Sequence, residues 1–150
     1  MKSAARVIHS DKYEWQGVEK KAYKENSSRF RNVHRFTLLG SEIPELNFET
    51  RYFEIGPGGY SSLEVHHHPH SVIVIRGSGT VVLNNELNSL CVHDVVYIAP
   101  ETIHQFHADN HEPLGFICIV DRYRDKPVVP EDSEIASRIS SECVLKKIKK

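Results

Sequence analysis

The sequence predicts an all-β fold, either a sandwich or a closed barrel, followed by a short C-terminal helix. From residue 48 onward the chain is a series of short runs rich in β-branched and aromatic residues, each ending at turn residues. The runs follow one another at nearly regular spacing, which is typical of sandwiches and barrels. The length of 150 residues fits one domain with a single hydrophobic core.

The chain divides into three expected parts. Residues 1–35 are polar and mixed in charge, and we expect a lead-in segment with little regular structure, serving as an edge strand or as a strand exchanged in a dimer. An edge strand is expected near residues 33–39. The barrel is expected over residues 36–125. Its predicted strands are FETRYFEI, SSLEVH, SVIVIRG, TVVLNNE, LNSLCV, VVYIAP, TIHQFHA and LGFICIVDRY.

Two of these predicted strands end at clusters of glycine. FETRYFEI is expected to end at residues 56–59 and SVIVIRG at residues 77–79, because glycine favours turns. Residues 126–150 are expected to form a C-terminal extension. Within it, EDSEIASRISSECVLKKI predicts one short amphipathic helix with Ile135, Ile139 and Cys143 on the face that covers the barrel.

Composition excludes several classes of function. The 19 basic and 20 acidic residues nearly balance, so no basic surface for nucleic acid is indicated. No stretch has the roughly 18 apolar residues that a membrane helix needs, and the N-terminus lacks the apolar core of a signal peptide. The three cysteines are far apart and odd in number, which favours a reducing compartment over a disulfide framework. We therefore expect a cytoplasmic protein.

A run of histidines in the middle of the chain predicts a metal site. Four of the ten histidines lie within residues 66–70, close to Glu64. Side chains two apart in a strand point to the same face, so Glu64 and His66 point together. Pro69 favours a turn, which places His70 at the start of the next strand, facing back toward them. His104 begins a later strand. Three imidazoles and one carboxylate suit Mn, Fe, Co, Ni, Cu or Zn.

The spacing of these residues resembles the first motif of the cupins, a family of small jelly-roll barrels. That motif runs Gly, five residues, His, one, His, three or four, Glu, six, Gly, and residues 58–77 keep every interval. Glu64 stands where the family usually has histidine, and His70 stands where it usually has the carboxylate. In an alternative register His66 and His68 form the pair, but the carboxylate position then falls on an apolar residue. Of the second cupin motif, His104 is kept.

The resemblance implies a fold and a range of activities. The fold is the cupin jelly-roll barrel, a double-stranded β-helix, and cupins include isomerases, lyases, dioxygenases, storage proteins and sugar-sensing modules. The family also implies a homodimer. In LGFICIVDRY, strand alternation places Cys118 on the same face as Phe116 and Val120. If that face is the interior, a thiol points into the metal cavity; the alternative is a buried cysteine that serves as a small hydrophobe.

A closer similarity, over residues 36–135, is to a narrow branch of bacterial cupins that serves methionine salvage. Its Glu-x-His-x-His-x-His run matches Glu64, His66, His68 and His70, with His68 as an alternative ligand or a residue that supports the ligands. The branch implies a divalent metal, manganese before Fe, Co, Ni or Zn. It also implies that Cys118 accepts the thiomethyl group of methylthioxylulose 5-phosphate, leaving 1-deoxyxylulose 5-phosphate. Glutathione or another thiol would then release that group.

Several questions stay open at the level of sequence. Arg51 or Arg76 would hold the substrate phosphate, although each is also consistent with an ordinary surface charge. Isomerase or lyase chemistry on a similar small ketone would need no cysteine. A metal-dependent module that only binds or senses a small ligand is the remaining alternative. No partner nucleic acid or membrane is expected.

Overall fold

The computed structural model describes residues 2–22 and 29–150. Residues 1 and 23–28, which belong to the predicted lead-in segment, lie outside the described residues. The described part is mostly β-structure with two short helices. The elements are β1 (Ser10–Asp11), β2 (Glu14–Trp15), β3 (Lys21–Ala22), β4 (Arg31–Leu39), β5 (Phe48–Tyr60), β6 (His70–Leu83), β7 (Glu86–Cys91), β8 (Val95–Ile98), β9 (His104–Ala108), β10 (Leu114–Asp121), α1 (Asp132–Arg138) and α2 (Glu142–Lys147).

Four antiparallel strands close into a barrel. β10 lies between β5 and β6, β9 pairs with the second half of β6, and β9 returns to the end of β5 through the pair Tyr60 and His107. β7 and β8 extend this barrel from β6, while β4 and β3 extend it from β5. The prediction of an all-β barrel followed by short C-terminal helical structure is confirmed.

β6 does not end at the glycine cluster, contrary to the prediction. It runs through Gly77, and there it changes partners, from β10 and β8 to β9 and β7. Gly77 has φ +66°, and a Cβ atom built there would lie 1.7 Å from the carbonyl oxygen of Pro113. Glycine is therefore required for the bend and for the close approach of a second backbone, and the strand continues beyond it.

The prediction for residues 48–66 is also corrected. β5 continues through the glycine cluster to Tyr60, with Gly58 at φ +69°. SSLEVH is not a strand; it contributes only two isolated bridges, Glu64 with His104 and Val65 with Val128. An extended segment held by single bridges departs from strict strand pairing, which leaves it able to turn sharply at residues 67–69.

The barrel interior is apolar at one end. Alternate residues of β4, β5, β6 and β10 face inward, and the resulting cluster contains Val33, Ile55, Val72, Val74, Phe106, Leu114, Phe116, Cys118 and Val120. The face of β10 that Phe116, Cys118 and Val120 were predicted to share is the inward one, since all three are buried. The rest of the interior is lined by the histidines and arginines described below.

The C-terminal extension forms two helices where one was predicted. Ile135 and Ile139 are buried as expected, but Cys143 is exposed and its neighbour Val144 is fully buried instead. The chain leaves the helical conformation between the helices and begins again at Ser141, whose side chain accepts a hydrogen bond from the Val144 amide. Because the helix begins anew at this position, its buried face contains Val144 in place of the predicted Cys143. Both helices pack on the outside of the barrel in a cluster with Leu63, Val65, Val82 and Ile103.

Part of the lead-in segment covers the outer face of β5. The Trp15 ring lies 4.7 Å from that of Tyr52, and the Tyr13 ring stacks on Tyr52 at 6.1 Å between centroids. Tyr52 is fully buried as a result. Neither α1 nor α2, nor any other helix among the described residues, has the length and apolar character to cross a membrane.

Candidate metal centre

Three imidazoles meet inside the barrel. His66 follows the bridged segment, His70 opens β6 and His104 opens β9, and one ring nitrogen of each lies within 4.8 Å of the others. The ring centroids are 4.8 to 5.3 Å apart, which makes a nearly equilateral triangle. His66 and His104 are buried and His70 is half-buried. Three converging imidazoles in this arrangement are a common ligand set for a divalent transition metal.

Each imidazole is oriented by its Nδ1 atom. The Nδ1 of His66 lies 2.7 Å from the carbonyl oxygen of His68, and that of His104 lies 2.8 Å from the carbonyl oxygen of Thr102. A carbonyl only accepts, so both rings carry their proton on Nδ1 and present an unprotonated Nε2. The Nδ1 of His70 lies 3.2 Å from Cys118 Sγ. Its Nε2 is buried and has no hydrogen-bond partner among the described residues.

The electrostatics of the three rings favour their neutral forms. Burial, followed by the neighbouring His104 and His66, lowers the pKa of His70 to about 2. Burial lowers the pKa of His104 to about 4, and it also lowers the pKa of His66. Only a neutral imidazole has a lone pair for a metal. The orphaned Nε2 of His70 and this enforced neutrality fit a bound cation.

Glu64 lies beside this triangle but is not part of its closest group. Its backbone pairs with that of His104 through two hydrogen bonds of 3.0 and 2.9 Å. Its carboxylate accepts a hydrogen bond of 2.5 Å from Ser62 Oγ. Burial raises the pKa of Glu64, with Ser62 and Arg51 opposing that effect. A buried carboxylate that lines the same cavity as three imidazoles is positioned to contribute negative charge to a metal site.

Cys118 lies in the same cavity and is nearly fully buried. Its Sγ is 3.2 Å from His70 Nδ1 and 3.3 Å from Arg51 Nη2, which donates to it. Burial raises the pKa of the thiol, and the Arg51 guanidinium opposes that rise. Arg51 is itself held over the Phe53 ring, with 5.0 Å between the guanidinium carbon and the ring centroid. A guanidinium and an imidazole therefore both contact one sulfur atom next to the imidazole triangle.

His68 is close to the triangle without belonging to its closest group. Its ring stacks on that of His66 at 3.7 Å between centroids. Its Nδ1 lies 2.8 Å from the Asp125 carboxylate, which also accepts hydrogen bonds from the backbone amides of His67 and His68 at 2.9 and 3.0 Å. These bonds, led by that from the His67 amide, hold the pKa of Asp125 below its usual value. Asp125 thus fixes the turn between His66 and His70.

The two arginines singled out in the sequence lie on opposite faces of the sheet. Arg51 faces inward with Phe53, whereas Arg76 faces outward, where it forms an ion pair with Glu54 and lies over the Tyr13 ring. The cavity contains two further arginines, Arg35 on β4 and Arg124 after β10. Strand alternation around Val33 would have indicated the inward direction of Arg35. Nothing in the local sequence indicates Asp125 or Arg124, which reach the site from a loop.

The fold and the site together define a class of protein, a closed jelly-roll barrel with histidines converging in its interior. The chain belongs to the cupin family: the family described as "Cupin_2: Cupin domain" matches residues 51–120. It is similar to the 1-methylthio-D-xylulose 5-phosphate methylsulfurylase of Rhodospirillum rubrum, with 42% identity over 125 residues that cover 83% of this chain and 79% of that protein.

Solved structures show the same relationship. A cupin-2 domain from Rhodospirillum rubrum, Rru_A2000, superposes with a TM-score of 0.79 at 39% identity, covering 88% of both chains. A cupin 2 conserved barrel domain protein from Rhodopseudomonas palustris superposes with a TM-score of 0.90 at 34% identity, covering 97% of this chain and 100% of that one.

Proposed function

We propose that this chain is a metal-dependent cupin enzyme that removes the thiomethyl group from methylthioxylulose 5-phosphate and leaves 1-deoxyxylulose 5-phosphate. The observation that carries the proposal is the position of Cys118, whose sulfur lies 3.2 Å from a histidine of the imidazole triangle. The similarity to a methylsulfurylase over 83% of the chain supports the same reaction. A thiol beside a metal-type site supplies both a nucleophile and charge stabilisation within one cavity.

The proposed metal ligands are His66, His70 and His104 through Nε2, with Glu64 as the carboxylate ligand. Mn is our first choice because the resemblance to the branch of cupins that serves methionine salvage implies a manganese-type site, and a set of imidazoles with a carboxylate also suits Fe, Co, Ni or Zn. When bound, the metal supplies a Lewis acid for the negative charge that develops on the substrate's ketone oxygen. We assign His68 to orienting the ligand turn through Asp125, because its ring stacks on that of His66 and lies outside the closest group of three imidazoles.

Cys118 is the proposed nucleophile. Its Sγ forms a bond to the substrate sulfur, the bond between that sulfur and C1 breaks, and the electron pair of the broken bond enters the enolate. A proton then adds to C1 and completes 1-deoxyxylulose 5-phosphate. Arg51 and the Nδ1–H of His70 both donate to Sγ, which stabilises the thiolate against the cost of burial.

A second thiol is needed to complete the cycle, because Cys118 is left as a methyl disulfide. Glutathione or another thiol attacks this disulfide, leaves carrying the thiomethyl group as its own mixed disulfide, and restores the Cys118 thiol. Such a cycle needs a reducing compartment, which agrees with the expected cytoplasmic location.

We also propose a homodimer, with residues 1–35 contributing to its contact. Exposed apolar side chains on the barrel surface, among them Val95 and Tyr97, support association.

Turnover of methylthioxylulose 5-phosphate by Cys118→Ser tests the proposal. We expect thiomethyl release to fall below detection while the metal content stays near that of the unmodified protein. Cys91→Ser is the matched control, because Cys91 is an exposed cysteine, and it should retain full turnover. If Cys118→Ser keeps its turnover, the thiol is not the nucleophile, and metal-assisted isomerase or lyase chemistry becomes the better hypothesis. If the unmodified protein binds the ketone but does not turn it over, a binding or sensing role follows.

A further inference from the structure

The cavity that contains the imidazole triangle has a second, cationic side. Arg35, Arg51 and Arg124 line it, and Glu64 is the one carboxylate that lines it among residues 2–22 and 29–150. Glu49 pairs with Arg124 at 3.0 Å. Arg51 points into the cavity with its Nη2 on Cys118 Sγ, and its Nε is buried without a hydrogen-bond partner among the described residues. A concentration of guanidinium groups in a partly enclosed cavity selects anionic ligands, and phosphate above all.

The three strands that carry Cys118, Arg51 and Arg35 lie side by side. Cys118 on β10 is the direct partner of Arg51 on β5, and Arg51 is the partner of Thr37 on β4. Arg35 precedes Thr37 by two residues, so it shares the inward face and lies diagonally opposite Arg51. Along the cavity wall the Cys118 thiol therefore comes first, the Arg51 guanidinium second and the Arg35 guanidinium third.

This order sets a length. Neighbouring strands are about 4.8 Å apart, so two strand steps separate β10 from β4 by about 10 Å. A ligand that places its reacting group at the Cys118 thiol and an anionic group at Arg35 must therefore span up to about two strand spacings. Phe53 and Phe116 stack at 5.6 Å and form an apolar part of the wall along this span.

We propose that Arg35, with Arg51 beside it, binds the terminal phosphate of the substrate and thereby selects phosphorylated ketoses over unphosphorylated ones. This assignment rests on the proposed function for the identity of the reacting end, but the anion site itself does not require that reaction. Arg76, the other arginine considered from the sequence, faces outward and is excluded from this role by its position.

Direct binding tests the site without turnover. Isothermal titration calorimetry on the metal-loaded protein compares xylulose 5-phosphate with xylulose, neither of which carries a thiomethyl group. The unmodified protein should bind the phosphorylated sugar more tightly. Arg35→Gln should weaken binding of xylulose 5-phosphate by about 10-fold to 100-fold, the range for losing hydrogen bonds to a charged group, and leave xylulose binding unchanged. The affinity of Arg35→Lys for xylulose 5-phosphate should lie between those of the unmodified protein and Arg35→Gln, because lysine keeps the positive charge but cannot form the two parallel hydrogen bonds of a guanidinium.

Arg31→Gln is the matched control: it lies on the same strand, it is exposed, and it makes the same change in charge. It should leave both affinities unchanged. The proposal is overturned if Arg35→Gln keeps the preference for the phosphorylated sugar, or if the unmodified protein has none. An Arg35-dependent preference in a protein that does not turn over methylthioxylulose 5-phosphate would refute the proposed reaction and leave the anion site standing. Turnover of methylthioxylulose 5-phosphate with an unchanged KM in Arg35→Gln would refute the anion site and leave the proposed reaction standing.

Discussion

Metal affinity should depend only weakly on pH, and this is the most direct test of how the imidazole triangle is built. The perturbation is a change from pH 7.5 to pH 5.5 in a binding experiment with Mn²⁺. Protons and metal compete for the same Nε2 atoms, so the outcome depends on the pKa values of the metal-free rings. Those pKa values are lowered by burial and, at His70, by the neighbouring rings.

The expected magnitude follows from these values. An imidazole with the ordinary pKa of about 6.5 is protonated about ten to one at pH 5.5, so three such ligands would together weaken binding about 1,000-fold. His70, with a pKa of about 2, and His104, with a pKa of about 4, remain neutral at pH 5.5. Only His66 and Glu64 are left to take up protons, the latter because its pKa is raised. We therefore expect a loss well below about 1,000-fold, because His70 and His104 take up no protons over this range.

The assay is isothermal titration calorimetry in two buffers of different ionisation enthalpy, which also counts the protons released on binding. At pH 6.5 fewer than about one proton should be released per metal. His67→Ala serves as control, since His67 is exposed and lies outside the triangle. A fall in affinity close to 1,000-fold by pH 5.5, or the release of two or three protons at pH 6.5, would refute the claim that burial keeps these rings neutral.

Two further predictions address the surroundings of the site. Glu64→Gln should weaken Mn²⁺ binding at pH 7.5 by at least about 10-fold and flatten the remaining pH dependence, measured by the same calorimetry; an unchanged affinity would remove Glu64 from the ligand set. Arg138→Gln should lower the free energy of unfolding in urea by about 1–2 kcal/mol. Arg138 Nη2 donates hydrogen bonds to Asn84 Oδ1, at 2.9 Å, and to the Glu101 carbonyl, which lies near His104 in the chain, and the substitution removes both. The exposed pair of Lys146 with Glu142 gives the control: Lys146→Gln should change stability by less than about 0.5 kcal/mol, and equal losses in both variants would contradict the reasoning.

The sequence contained enough information for the main features of the fold because alternation and turn residues are local. Strand geometry alone places Phe116, Cys118 and Val120 on one face of β10, and the structure shows that this face is the buried one. Turn residues alone gave the wrong end for β6, because Gly77 lies inside that strand and does not end it. Glycine is there because the carbonyl of Pro113 approaches within the volume that a Cβ would occupy, and that approach depends on a strand 36 or more residues away in the chain.

The candidate site was predictable where a local turn, strand alternation or the cupin spacing marks its residues, which includes His104 and Cys118 although both are distant in sequence from Glu64. The interval from Glu64 to His70 contains a turn, and a turn brings neighbouring residues back toward one another. Asp125 was missed because its contacts with His68 join residues 57 apart, one of them in a loop without a recognisable motif. The C-terminal helix was predicted as one because the apolar pattern of residues 135–144 has no strong break; the cap at Ser141 decides where the second helix begins.

His70 links the two halves of the proposed chemistry through a single ring. Its Nδ1 lies 3.2 Å from Cys118 Sγ, and its buried Nε2 has no hydrogen-bond partner among the described residues. Under the proposed function, a cation held at Nε2 would withdraw electron density from the imidazole and make Nδ1–H a stronger donor. A filled metal site would then add to the stabilisation that Arg51 already gives the Cys118 thiolate. The proposed nucleophile would be least reactive in the metal-free protein, where an attack on the substrate would also lack the charge that stabilises the enolate.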